Sequence, residues 1–113
     1  MTKIVLAYIT MPTMKRARVL SRKLLEARLV ACTNLIPQME SHYNWNGKKE
    51  IGREIILIAK TLPHLSRKLE TYVKNNHPYE CPCIVFIKGE ATKAYGSWVN
   101  ASVSGKRYQV RRS

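Results

Sequence analysis

The chain has no aspartate at all; its seven acidic residues are every one glutamate. That absence excludes Asp-based catalytic triads and argues against magnesium-dependent phosphoryl transfer, whose sites lean on Asp. Cysteine is sparse, with three residues at positions 32, 81 and 83. Three thiols cannot all pair within one chain, and their spacing builds no disulfide framework, which fits a reducing compartment. No apolar run approaches the roughly 18 residues of a membrane span. The opening "MTKIVLAYITMPTMKRARVL" puts its basic cluster after the apolar stretch. A signal peptide has the reverse order, so the segment reads as a strand and the location as cytoplasmic. There is no Gly-rich phosphate loop and no HExxH. No nucleophile stands beside an evident base, so no enzymatic role is expected.

What the chain has in excess is positive charge. Twenty Lys and Arg against seven Glu give a net charge of +13, which predicts salt-sensitive, nonspecific attraction to polyanions. At 113 residues the chain makes one domain with a modest core. "KIVLAYIT" (3–10) is a nearly continuous apolar run, the pattern of a strand covered on both faces. The next segment, "PTMKRARVLSRKLLEARL", repeats Ala17, Leu20, Leu24 and Ala27 at helical spacing. Thr13 or Thr10 would cap that helix, and Lys15, Arg16, Arg18, Arg22 and Lys23 crowd its outer surface.

Residues 33–45 alternate, with Leu35, Pro37, Met39, Tyr43 and Trp45 at odd positions, as in a half-exposed strand. Pro37 cannot donate to a ladder, which places it on an edge or at a bulge. Asn46-Gly47 then signals a tight hairpin, since both residues tolerate positive φ. The return arm, 48–60, ends in the apolar run Ile55–Ala59 of a central strand. A second amphipathic helix spans 62–78 on Leu65, Leu69, Tyr72 and Val73, "CPCIVFIK" (81–88) reads as a last edge strand, and 91–103 as a short C-terminal helix.

The order β-α-β-β-α-β is the split βαβ arrangement of ferredoxin-like α+β folds. Its hairpin is long: arms of about 12 residues extend near 40 Å at roughly 3.3 Å per residue. That exceeds what one small domain covers, and Tyr43 and Trp45 at the tip have no local core. Self-association is the expected remedy.

The stretch "NNHPYECPC" leaves two readings open. His77, Cys81 and Cys83 could supply an imidazole and two thiolates to Zn or Cu, the cysteines alternating on one strand. Alternatively, the cysteines pack as small hydrophobes and His77 ends the helix. Cys32 reads as a buried, inert thiol, and His42 and His64 as solvated residues. No RNP1-like pattern marks the central strands, so sequence-specific RNA readout is not expected. Attachment through Arg16, Arg18, Arg22 and Lys23 remains as an alternative function, that of an anion- or nucleic-acid-binding basic module.

Several motifs occur together in order: "LVACTNLIP" (29–37), Tyr43-x-Trp45-x-Gly47-Lys48, "IILIAKT" (55–61), "HPYE" (77–80) followed by Pro82, and Tyr95-x-x-Trp98. Across residues 3 to 101 this resembles the CutA family, named for divalent-cation tolerance. The resemblance implies a homotrimer like the PII signalling proteins, with Tyr43, Trp45 and Trp98 serving assembly. It implies a role in copper or other divalent-metal binding or response, with no obligatory cofactor and Cu or Zn as an optional ligand. It implies a cleft near a subunit boundary holding Tyr79, Glu80, Glu50 and Lys60, beside the metal candidates His77, Cys81 and Cys83. The chain departs from the family pattern at Ile51, Gly52 and Arg53, where acidic residues are usual, and at Cys83, where Glu is usual. The expected layout is a domain over 1–104 and a basic tail over 105–113.

Overall fold

The computed structural model describes residues 1–108. In chain order the elements are β1 (Thr2–Met11), α1 (Met14–Glu26), β2 (Cys32–Trp45), β3 (Lys48–Thr61), α2 (Ser66–Asn76, entered by a 3-10 turn at Pro63–Leu65), β4 (Ile84–Ala91) and α3 (Lys93–Val103). The strands form one antiparallel sheet in the order β2-β3-β1-β4. This is the ferredoxin-like arrangement, with the two continuous apolar runs at its centre.

Local chemistry sets the boundaries. The Thr13 hydroxyl accepts the Arg16 N–H at 3.1 Å and starts α1, with Pro12 just ahead of the cap. Thr92 does the same for α3, accepting from Tyr95 N–H at 3.3 Å. Asn46 (φ 50°) and Gly47 (φ 79°) turn the hairpin; both sit in the left-handed region that lets a two-residue loop match the strand twist. After α3 the chain closes with Lys106 N–H donating to Ala101 C=O at 2.8 Å. Of the tail expected over 105–113, residues 109–113 lie outside the described residues.

The sheet has two different faces. On one, Ala7, Ile9 and Met11 of β1 and Ile55, Leu57 and Ala59 of β3 pack under α1 (Ala17, Leu20, Leu24) and α2 (Leu69, Val73), forming the main core. On the other, α3 covers only one end, where Tyr95, Trp98 and Val99 meet Ile4, Leu6, Ala31 and Leu62. Beyond α3 this second face is apolar and uncovered: Ile36, Val85 and Ile87 are 44%, 49% and 48% exposed, beside half-buried Tyr8, Ile56 and Ile58. β1 is therefore covered along its length on one face only within a single chain.

The arms of β2 and β3 run 14 residues each, and β1 pairs with β3 only over Ile55–Thr61, so the hairpin projects beyond the sheet. The long axis is 57 Å against 24 and 23 Å for the others.

Two sequence expectations are corrected. The odd residues of 33–45 do not share a face. The pairing jumps from Ile36↔Ile56 to Met39↔Glu54, with Gln38 at φ 64°. Pro37 has no N–H for the ladder, the strand bulges there, and the extra residue exchanges the faces. Leu35 thus packs toward the helices, while Met39, Tyr43 and Trp45 join Tyr8 and Ile56 on the opposite side. The last strand also begins at Ile84, not at Cys81. Residues 77–83 form an irregular link tied to β1 by Thr10 N–H donating to Cys83 C=O at 3.4 Å.

Candidate functional site

The projecting hairpin and the 78–83 link enclose a cleft of about 860 Å³ on the uncovered face. Its floor is the face exchanged by the bulge: Met39, Ser41 and Tyr43 of β2, Glu50 and Glu54 of β3, and Tyr8 of β1. Its wall is Pro78, Tyr79, Glu80, Cys81 and Cys83. Trp45 closes the outer end, toward the hairpin tip.

Three contacts hold this arrangement. The His77 ring places Nε2 2.7 Å from Thr10 C=O, while Nδ1 accepts the Tyr79 N–H at 3.1 Å. A carbonyl on one nitrogen and an N–H on the other select the tautomer protonated at Nε2. With both nitrogens engaged, His77 pins the link to β1. The Tyr79 hydroxyl then donates to Glu54 Oε2 at 2.9 Å, joining the link to the hairpin. Partial burial and the Glu54 carboxylate push the Tyr79 phenol well above its ordinary range, so it stays a donor at every physiological pH. The Tyr8 hydroxyl reaches Met39 Sδ at 3.4 Å across the floor.

The two wall thiols differ. Cys81 is exposed and Cys83 half-buried. Burial pushes the Cys83 thiol up; a hydrogen bond from Thr10 pulls it down, and nearby Glu54 and Cys81 raise it further. A raised thiol holds less thiolate near neutrality, and thiolate is the nucleophile. Iodoacetamide labelling followed by peptide mass spectrometry is expected to modify Cys81 several-fold faster than Cys83 at pH 7.5. The gap narrows as pH rises and Cys83 ionises. Equal rates at pH 7.5 would refute this description of the wall.

The structure brings Tyr79, Glu80, Glu50, Cys81 and Cys83 to one cleft, together with Met39, Glu54 and Tyr8. Met39 is not legible as a cleft residue in the sequence, because the bulge that aims it into the cleft shows there only as Pro37. Lys60 lies elsewhere: its Nζ is 5.7 Å from the Tyr95 ring centroid, under α3. Trp98 packs within the chain, its ring 5.6 Å from that of Tyr95. Tyr43 and Trp45 project at the tip, nearly half exposed. Cys32 is half-buried rather than buried, and His42 is exposed beside Glu40, 3.6 Å away. Among the described residues no three His, Cys or Glu side chains gather closely enough to hold a metal ion.

Comparison with known proteins gives one consistent result. A family model described as "CutA1 divalent ion tolerance protein" matches residues 5–102. The divalent-cation tolerance protein CutA of Thermus thermophilus is 38% identical over 92 residues, 80% of this chain and 89% of that protein. Mouse CutA is 38% identical over 95 residues, 83% of this chain, and the match spans 54% of the longer mouse protein. Among solved structures, divalent ion tolerance protein CutA1 from Ehrlichia chaffeensis superposes with a TM-score of 0.86 at 33% identity, covering 91% of this chain and 97% of that one. CutA from Archaeoglobus fulgidus, described as periplasmic, superposes at 0.85 with 33% identity over 88% and 98%.

Proposed function

The chain belongs to the CutA1 divalent ion tolerance family, and on that premise we propose that it acts in divalent-cation tolerance as a homotrimer, meeting the cation at the hairpin cleft. One observation carries this reading. The cleft and the uncovered apolar sheet face are parts of a single surface, so whatever covers the sheet also closes the cleft. Ile36, Val85 and Ile87 share that side of the sheet with Tyr43 and Trp45 farther out along the hairpin, all nearly half exposed in one chain. Apolar area of this extent is stable only when covered, and identical copies supply a cover with the same pattern.

The cleft's chemistry suits a soft or borderline cation. Cys81, Cys83 and the Met39 thioether offer sulfur, which favours copper in its reduced state, and Glu50, Glu54 and Glu80 offer oxygen. His77 orients the link rather than reaching for the ion. Because too few donors converge among the described residues, the cation takes the rest of its coordination from a second copy or from water. No reaction is assigned: His77, the one imidazole near the thiols, has both nitrogens engaged and cannot serve Cys83 as a base. The ion is bound or sensed, and response passes on through assembly.

We place the protein in the cytoplasm, where three unpaired thiols persist. None of the described helices is long and apolar enough to cross a membrane.

Calorimetric titration with Cu(I), Cu(II) and Zn(II) tests the cation assignment. Wild type is expected to bind at least one of them saturably, and Cys81→Ser/Cys83→Ser to lose about tenfold or more in Cu(I) affinity. Identical weak isotherms for both proteins would overturn it. Light scattering tests the assembly: three times the 13.0 kDa chain mass is expected, and a monodisperse single chain would end that claim.

A further inference from the structure

The outer face of α1 is strongly basic. Lys15, Arg16, Arg18, Arg22 and Lys23 are all exposed, and Glu26 is the only acid on the helix. The ion pairs among the described residues are His42–Glu40 and Lys74–Glu70; none involves α1. Five unneutralised cations thus lie along about 12 Å of helix, at roughly 1.5 Å per residue. Beside this face a groove of about 430 Å³ between α1 and the end of α2 is lined by Lys15, Arg16 and Lys23 together with apolar Met11, Val19 and Leu20. The cation cleft is on the other face of the sheet, so the proposed function uses none of these residues.

We propose that the outer face of α1 docks the phosphate backbone of nucleic acid without reading its sequence. Charge complementarity fits that occupant: a duplex presents about one negative charge per 1.7 Å of its axis, so the stripe spans several phosphates at once. The face carries no Asn or Gln to pair with a base edge and no aromatic side chain to stack on an unpaired base, and its Arg and Lys serve phosphates as readily as guanine, so the proposal is confined to the backbone. An anionic membrane fits less well. A helix lying in a bilayer surface inserts its apolar face, but Ala17, Leu20 and Leu24 of α1 are committed to the core. A covered sheet face would leave this helical layer outermost, but the proposal needs neither the trimer nor a cation.

The test is fluorescence anisotropy of a labelled 20-base-pair DNA duplex with the full chain. Wild type is expected to bind in the roughly micromolar range at 50 mM salt and to weaken on the order of 10²-fold by 200 mM, from four or five phosphate contacts. Arg18→Glu/Arg22→Glu is expected to bind about tenfold or more weakly and to flatten the salt slope by about two. Arg18→Lys/Arg22→Lys keeps both charges and stays within about twofold of wild type. Lys48→Glu/Lys49→Glu at the hairpin changes net charge by the same amount and is expected to lose no more than about twofold. Equal losses in the two charge reversals would reduce the effect to net charge and overturn the proposal. So would no wild-type binding at 50 mM, or tighter binding to phosphatidylserine vesicles than to the duplex. Light scattering of each variant confirms unchanged folding and assembly, so failure here leaves the cation reading standing.

Discussion

Ile58→Glu is expected to reduce the apparent mass in light scattering from that of the proposed trimer to that of one chain, with the far-ultraviolet circular dichroism of the subunit retained. Ile58 lies in the middle of β3, paired with Tyr8 on one side and Asn34 on the other. Its side chain faces away from the helices, among Ile56, Tyr8 and Val85. In a lone chain this position is half-buried, so a glutamate there can turn to water at modest cost. In an assembly that covers the face, burying isoleucine contributes about 1.5–3 kcal/mol per chain. An uncompensated carboxylate instead costs several kcal/mol per chain. The change falls on every subunit, so a single substitution removes well over a thousandfold in association. Ile58→Val, which keeps the surface apolar, is expected to remain assembled. An unchanged mass for Ile58→Glu would show that the face is not where copies meet.

This expectation comes from the structure, because the face was only half legible in the sequence. The apolar runs of β1 and β3 marked central strands covered on both sides, and that marking was sound chemistry. It could not say which cover lies within the chain. The structure divides the covers among α1 and α2 on one face, α3 over one end of the other, and open surface for the rest. The hairpin tip was legible in full, since Asn46-Gly47 has few alternatives to a tight turn. The cleft was not. Period-two alternation assumes an unbroken ladder, and Pro37 breaks it, so a reading by parity assigned Met39, Tyr43 and Trp45 to the side of Leu35. Cys81 and Cys83 misled for a related reason. Their spacing is that of a strand, but Pro82 between them withholds an N–H, and His77 anchors the link before β4 begins. The motifs that resemble the CutA family point to segments that line the cleft, because a motif can be matched without the register that places its residues.

The other large effect concerns the limit of the open face, which α3 sets. Gly96 is buried in the first half of that helix against the start of β1. A Cβ placed on it would lie 2.2 Å from Thr2 Cβ and 2.4 Å from Thr2 Oγ1. Propensity alone favours replacement, since Gly→Ala in a helix interior gains up to about 1 kcal/mol. Steric overlap with a β-carbon, which no rotamer change can relieve, costs typically 1–3 kcal/mol. The overlap wins, and Gly96→Ala is expected to lower stability by about 1–2 kcal/mol in urea denaturation at fixed protein concentration. Gly96→Val, with two further methyl groups to place against β1, costs more. The source of the loss is distinguishable from a generic helix defect. In a Thr2→Gly background the obstructing atoms are gone, so Gly96→Ala should there become neutral or stabilising, a reversal of sign that only direct contact between the two positions produces. If Gly96→Ala stabilises the chain in both backgrounds, α3 does not press on β1 at this point. The helix would then be free to slide over Ile4 and Leu6, and the open face would have no fixed edge for a second copy to meet.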